Sequence, residues 1–253
     1  MASLVLSRIA AAGFLAAASC VSASAAEIKL IAVNAAKEAL VELAADFEKS
    51  SGHKVTLVWG GTEAITKRIS DGEAADIVLI AAPNIQRLIA QGALREGSRA
   101  DFARVGVGVA VRAGLLKPDI SSAEAVKNAV VAAKSVAYST GPSGFYIAEM
   151  FKKMGIADQI TDKVKQPASG VQIAEMLARG DADLGFQQVS ELLHAKGIDY
   201  LGPLPADIQN ITIYAAGLHN GSAAPWAANA LIDFLTGPTA TASIKKIGLD
   251  PPH

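Results

Sequence analysis

Short apolar segments alternate with amphipathic segments along most of the chain. Residues 28–33 form an apolar, β-branched run bounded by polar residues, which is typical of a buried strand. Residues 37–49 follow with apolar side chains at helical spacing, and Gly52 lies just beyond them, where a helix commonly ends. The alternation of strand and helix continues to the C-terminus. It predicts βα units, and therefore an α/β fold with largely parallel sheets flanked by helices.

The remaining elements are predicted by the same patterns. We expect Thr62, Ser122 and Ser190 to cap the starts of helices, because their hydroxyl groups can accept a bond from a free backbone N–H. Further strands are expected at 55–59, 76–82, 105–112, 136–138, 184–187 and 211–218. Further helices are expected at 62–69, 84–91, 122–133, 144–154, 170–179, 190–196, 225–235 and 238–247.

The first 26 residues differ from the rest. Arg8 precedes an apolar stretch at 9–18, and Ala23 and Ala25 have the spacing of a cleavage site. This pattern predicts a secretory signal peptide over residues 1–26 and a mature protein exported to the periplasm. Cys20 offers an alternative as a lipid-attachment site, but a large aliphatic residue is lacking three positions before it.

Composition narrows the possible functions. The chain of 253 residues carries 23 Lys and Arg against 24 Asp and Glu, so it lacks the basic excess expected of a nucleic-acid-binding protein. One cysteine excludes a disulfide framework and a cysteine zinc cluster. The four histidines have no partner at helical spacing, and no phosphate loop or dinucleotide fingerprint is present. We therefore expect neither a metal nor a cofactor.

Four predicted strands end in a short polar or glycine-rich loop that opens a helix, at 34–36, 60–62, 139–144 and 187–190. Ligands of parallel α/β sheets bind beyond the carboxyl ends of the strands. A helix N-terminus offers unpaired N–H donors and a partial positive charge, which suits an anion. Each loop alone is an ordinary turn, but four of them together predict an anion site. Lys37, in the first turn of its helix, either neutralises such an anion or is simply solvated.

Several motifs resemble the periplasmic molybdate-binding proteins of ABC importers, within the two-lobed solute-binding protein superfamily. The similarity extends from about Ile28 to Pro251. The motifs that carry it are WGGT at 59–62 with Arg68, DGEAADI at 71–77, PSGFY at 142–146, RGDADLG at 179–185, FLTGP at 234–238 and KIGL at 246–249.

The resemblance implies two α/β lobes that close on a ligand. One lobe would comprise residues 27–104 together with 212–253, and the other residues 105–211. The implied function is capture of a small anion, either a molybdate-like oxyanion or a small organic acid, for delivery to the membrane permease of an ABC importer. The protein would act as a monomer, with no nucleic-acid partner.

The resemblance also implies a set of ligand-binding residues, some of which depart from the family pattern. A serine after the first strand is replaced by Ala35, and a tyrosine after a later strand is replaced by Gln188. Glu63 stands where the family has glycine, so a carboxylate appears beside the site. The implied ligand-binding residues are Asn34, Ala35, Gly61, Thr62, Ser143, Gly144, Val171 and Gln188.

An enzyme on the same scaffold is the alternative function. Some proteins similar to this superfamily isomerise aconitate, which requires a base close to a substrate carbon. Glu63, Tyr146 and Lys37 are the candidates for this role, although Tyr146 also fits a packing role. A binding protein remains the preferred interpretation.

Overall fold

A computed structural model describes residues 25–252. Cys20 and all but the last two residues of the predicted signal peptide lie outside this range. Within residues 25–252, no helix is both long enough and apolar enough to cross a membrane.

Strands and helices alternate through most of the described chain. The strands are β1 Glu27–Val33, β2 Lys54–Gly60, β3 Ile77–Ala81, β4 Ala100–Arg112, β5 Val136–Tyr138, β6 Val164–Lys165, β7 Leu184–Gln188, β8 Ile198–Pro203 and β9 Ile211–Leu218. The helices are α1 Lys37–Ser51, α2 Thr62–Ser70, α3 Ala82–Ala90, α4 Ala123–Ala132, α5 Pro142–Lys153, α6 Ala157–Ile160, α7 Ile173–Arg179, α8 Val189–Leu192, α9 Pro225–Thr236 and α10 Thr241–Lys246. Short 3₁₀ turns lie at Asn34–Ala36, Thr161–Lys163, Ala206–Ile208 and Pro238–Ala240.

The strands pair in the order β2-β1-β3-β9-β4-β7-β5-β6, and β8 also pairs with β4. The outer pairs β1–β2, β1–β3, β5–β6 and β5–β7 are parallel, as βα units require. The central pairs, which involve β4 and β9, are antiparallel. The sheet is therefore parallel at its two outer ends and antiparallel around β4 and β9, the strands along which the chain crosses between the halves.

β4 belongs to both halves of the molecule. Its first part, from Ala100 to Gly106, pairs with β9. Its second part, from Val107 to Arg112, pairs with β7 and β8. One hydrophobic cluster takes its buried side chains from 28–105 and 214–249, and two others take theirs from 107–204. We call these halves lobe 1 and lobe 2. The predicted two-lobed α/β fold is confirmed, whereas the boundaries at 104/105 and 211/212 stay a prediction.

Several local predictions are confirmed in detail. The Ser122 hydroxyl accepts a bond from the Ala125 N–H at 3.1 Å and so caps α4. Gly52 and Gly180 follow α1 and α7 in the left-handed conformation, with φ of 77° and 81°. A residue with a Cβ is strained in that conformation, which explains glycine at both positions.

Other local predictions are wrong. Thr62 is the first residue of α2, and the cap is Gly61. Ser190 lies inside α8, whose cap is Gln188. β8 was not predicted.

Gln209 lies where the chain returns to lobe 1, and its side chain extends the sheet at the crossing. Its amide oxygen accepts a bond from the Val107 N–H at 2.7 Å, and its amide nitrogen donates to the Val107 carbonyl at 3.0 Å. The Gln209 side chain thus forms hydrogen bonds with both the backbone N–H and the backbone carbonyl of Val107. β4 changes its pairing partner from β9 to β7 at Val107, so this contact lies where the strand passes from one core to the other.

We expect Gln209→Ala to lower the free energy of unfolding by about 1–3 kcal/mol, because it leaves the Val107 N–H without its acceptor. The Val107 carbonyl keeps its bond from the Leu204 N–H. Urea denaturation measures the change. Gln86→Ala is the matched control, since Gln86 is exposed on α3, and it should stay within about 0.5 kcal/mol of wild type. Equal stability of the two variants would contradict the role given to Gln209.

Candidate functional site

A cleft between the lobes receives the starts of several helices. Lobe 1 contributes the turn Asn34–Ala36 after β1 and the start of α2. Lobe 2 contributes the start of α5, the segment 169–172 before α7, and the end of β7 with the start of α8. The four loops predicted from the sequence are therefore brought together. Their free N–H groups give the cleft a positive potential.

The lobes touch across this cleft. The Asn34 amide donates to the Gly170 carbonyl at 3.0 Å. A Cβ on Gly61 would lie 2.6 Å from the Ser169 Oγ and 2.7 Å from the Gly170 nitrogen, so only glycine permits this approach. The cavity enclosed behind these contacts measures about 40 Å³. The structure thus represents a closed form with room for a small ligand.

Hydroxyl groups line one wall of the cavity. Thr62 and Ser143 are almost fully buried, with 3% and 2% exposure. The Ser143 and Ser139 hydroxyl oxygens lie 3.1 Å apart, within hydrogen-bond distance. The backbone carbonyl oxygen of Ser139 packs against Gly144, because a Cβ on Gly144 would lie only 1.5 Å from that oxygen. Gly144 therefore shapes the loop that presents Ser143.

Two consecutive glutamines at the end of β7 have different roles. Gln187 accepts a bond from the Ile173 N–H at 2.8 Å and donates to the Gln172 side chain at 3.0 Å, so its amide is used to hold the start of α7. Gln188 donates to the Thr212 hydroxyl at 2.9 Å, which joins lobe 2 to lobe 1. The Gln188 amide oxygen is buried and has no partner.

Unpartnered polar atoms concentrate at this site. In the part of the chain that the structure describes, five buried side-chain polar atoms lack a hydrogen-bond partner, and only the Arg112 Nε lies elsewhere. The other four, which line or adjoin the cleft, are Thr140 Oγ1, Ser169 Oγ, Gln188 Oε1 and Ser190 Oγ. Buried polar groups normally have partners, so a cluster of exceptions indicates a place for a ligand.

Glu191 supplies the only formally charged side chain among the described residues that line the cleft. It occupies the third position of α8, from which a carboxylate can reach back to the cap residue. The residue keeps some exposure, but protein atoms surround its carboxyl group, and this burial raises the pKa of Glu191 to about 7. The amides of Gln172 and Gln187 and the backbone of Gln188 oppose the rise without cancelling it. Glu191 can therefore gain or lose a proton near neutral pH.

A second, more open cavity of about 340 Å³ adjoins the first. Both cavities share Asn34, Ala35, Gly170, Gln172 and Glu191. A ligand larger than the enclosed space could thus extend past Glu191.

The structure places most of the implied ligand residues around the enclosed cavity. Gly144 lies behind the wall instead. The residues that line the cavity are Asn34, Ala35, Gly61, Thr62, Ser143, Val171 and Gln188.

The three candidate catalytic residues do not line the enclosed cavity. Glu63 accepts a bond from Asn84 at 3.0 Å and pairs with Arg87 at 3.3 Å, and it lines a separate cavity beside Phe145. The Tyr146 hydroxyl donates to the Ile208 carbonyl at 2.7 Å and so has a packing role. Lys37 lines the second cavity, where its ammonium group lies 5.9 Å from the centre of the Trp59 ring.

Sequence reasoning missed several residues of the wall, and Glu191 matters most. Its position three residues after the cap of α8 is a recognisable pattern of helix starts, but it became visible only once the helix start was known. The other missed residues of the wall include Ser139, Ser169, Gln172, Gln187 and Tyr214.

Comparison with known proteins identifies the family. Residues 28–250 match the model of the bacterial extracellular solute-binding proteins. The chain is 37% identical over 217 residues to an aconitate isomerase of a Pseudomonas species, a match that covers 83% of this chain and 82% of that protein. It is 31% identical over 234 residues to a molybdate-binding protein of Azotobacter vinelandii, covering 89% of this chain and 90% of that protein.

A solved structure shares the fold. The periplasmic molybdate-binding protein of Azotobacter vinelandii superposes with a TM-score of 0.77 at 24% identity, over 89% of this chain and 100% of that one. The family match extends over nearly all of the described residues, and both lobes and the cleft between them lie within it. The chain therefore belongs to the bacterial extracellular solute-binding proteins.

Proposed function

We propose that the protein captures a small anion in the cleft, in the periplasm, and delivers it as a monomer to the permease of an ABC importer. The observation that carries this proposal is a closed cleft in which helix starts and unpartnered hydroxyl and amide groups converge on the smaller cavity, whose described lining includes no Lys or Arg. Neutral donors aimed at one point bind an anion without a compensating cation. The proposed ligand residues are Asn34, Ala35, Gly61, Thr62, Ser143, Gly144, Val171 and Gln188.

An unpartnered acceptor in the cleft favours an organic acid over a fully ionised oxyanion. The Gln188 amide oxygen is buried and has no hydrogen-bond donor. An ionised tetrahedral oxyanion offers only acceptor atoms, so it cannot satisfy the Gln188 oxygen. An organic acid that carries a hydroxyl group can, and the second cavity gives its carbon chain space.

We expect a small organic acid to raise the melting temperature more than molybdate or sulfate does. A ligand at 100 times its Kd stabilises the folded protein by about 2.7 kcal/mol, which corresponds to about 5–10 °C for a chain of this size. Thermal-shift measurements with mono-, di- and tricarboxylates and with both oxyanions test this. A larger shift with molybdate would reverse the assignment of the ligand class, and no shift with any anion would contradict anion binding.

We expect Gly61→Ala to weaken anion binding at least tenfold, because the added methyl group meets Ser169 and Gly170 and holds the lobes apart. Gly61 has an ordinary φ of −83°, so alanine should leave the unliganded melting temperature nearly unchanged. Isothermal titration calorimetry measures the affinity. Gly221→Ala is the control, since Gly221 is exposed in a turn outside the cavity and its Cβ would meet only the His219 ring, at 3.3 Å. Unchanged affinity in Gly61→Ala would show that closure does not require this contact.

Isomerisation of an unsaturated tricarboxylate is the second candidate function. Two observations favour it, namely the 37% identity to an aconitate isomerase and the carboxyl group of Glu191 in the cleft. A group whose pKa lies near 7 can both accept and return a proton at neutral pH. Glu191 replaces Glu63, Tyr146 and Lys37 as the residue proposed to move the proton.

If the protein is an isomerase, we expect purified protein to interconvert cis- and trans-aconitate and Glu191→Gln to slow this about 100-fold or more. The ultraviolet absorbance of the two isomers or their separation by chromatography measures the rate. Glu149→Gln is the control, because Glu149 is exposed on α5 and pairs with Lys152. Wild-type protein that binds aconitate but leaves it unchanged would exclude this function and leave capture as the sole role.

A further inference from the structure

We propose that Glu191 carries a proton when an anion occupies the cleft and donates it in a hydrogen bond to that anion, so that ligand capture takes up a proton. This inference rests on the proposed anion-binding function and assigns to it a residue that the family resemblance does not include. Glu191 would then be a specificity-determining residue rather than a passive part of the wall.

The position of Glu191 carries the argument. It lines both the enclosed cavity and the adjoining one, so an anion in the enclosed cavity or across both lies beside its carboxyl group. Among the salt bridges found between residues 25 and 252, none includes Glu191. An ionised carboxylate here would face the bound anion with no paired cation between them, and like charges at close range repel.

The charged and titratable groups around Glu191 do not remove this repulsion. Acidic Glu38 and Glu175 share the second cavity with it, and Tyr214 lines the first. Lys37 and His194 also line the second cavity, and each of them contacts another group. Lys37 lies over the Trp59 ring, and a ring nitrogen of His194 lies 3.0 Å from the Lys246 carbonyl.

Protonation of Glu191 replaces this repulsion with a hydrogen bond to the anion. A neutral carboxyl group has one O–H donor, which can point at an anionic oxygen at short range. In the closed structure without a ligand, burial already places the pKa of Glu191 at about 7, and a bound anion must raise the pKa further. Between these two pKa values the free protein has lost the proton and the complex retains it, so binding takes one up.

The sign of the pH dependence follows. Below pH 7 the closed form without a ligand already carries the proton on Glu191, and its affinity should be nearly independent of pH. Above pH 7 the proton must be recovered for binding, so the Kd should rise by up to about tenfold for each pH unit. If Glu191 only capped α8, this pH dependence of the Kd would not be expected, because the ligand takes no part in the cap.

Isothermal titration calorimetry between pH 6 and 9 tests the proposal, with trans-aconitate and molybdate as probes in buffers of different ionisation enthalpy. For wild-type protein we expect a Kd about 50-fold weaker at pH 9 than at pH 7, because half of the Glu191 groups are already ionised at pH 7. We also expect uptake approaching one proton at pH 8. Glu191→Gln keeps a donor without the titration, so we expect a nearly constant Kd and no proton uptake. Glu149→Gln should behave as wild type.

The possible failures are distinguishable. If neither probe binds at any pH, the anion-binding function fails and this inference fails with it. If a probe binds wild-type protein without proton uptake at pH 8, anion binding stands and the role of Glu191 is overturned; this measurement requires no variant. If Glu191→Gln folds and retains the wild-type pH dependence, another group carries the proton, and the assignment to Glu191 is wrong.

Discussion

The antiparallel pairing of β4 with β9 is the constraint on which the rest of the molecule depends. β4 is a single strand whose two parts belong to different cores, and β9 returns beside its first part. The lobes are therefore joined by continuous extended backbone, not by a loose linker. Gln209 reinforces the crossing by bonding both backbone groups of Val107. A joint of this kind limits the relative motion of the lobes to bending about the crossing, which brings the same residues together each time the cleft closes.

The site uses that joint to combine donors that no single lobe holds. Lobe 1 supplies the turn before α1 and the start of α2, and lobe 2 supplies the start of α5 and the wall around Gln188 and Glu191. Closure excludes water from these groups, which strengthens their interaction with an anion. The absence of Lys and Arg from the described lining has a physical benefit, because neutral donors at helix starts keep their orientation and need no desolvation of a full charge.

The sequence predicts features that depend on neighbouring residues and fails for those that depend on packing. Gly52, Ser122 and Gly180 are recognisable because the end of a helix imposes its own local chemistry. The four loops were found because they follow apolar strands directly. β4 was predicted to begin at 105 because its first residues mix charged and apolar side chains, and only pairing with β9 makes them a strand. Glu63 and Glu191 show the same limit at the site. Both are acids near a helix start, yet Glu63 pairs with Arg87 in a separate cavity and Glu191 lines the cavity proposed to bind the ligand.

The closeness of Gly61 to Gly170 and the proton on Glu191 are two consequences of one event. Separation of the lobes at this contact would admit water to the cavity, and a hydrated glutamate has its ordinary pKa near 4.3. The carboxyl group would then be ionised at neutral pH in an open form. Closure withdraws that water, and the energy of burying the charge is avoided when the group takes up a proton. A bound anion favours the same two changes, because it bridges donors of both lobes and disfavours a second negative charge beside it. Lobe closure, anion binding and protonation of Glu191 are therefore coupled, and each makes the other two more favourable.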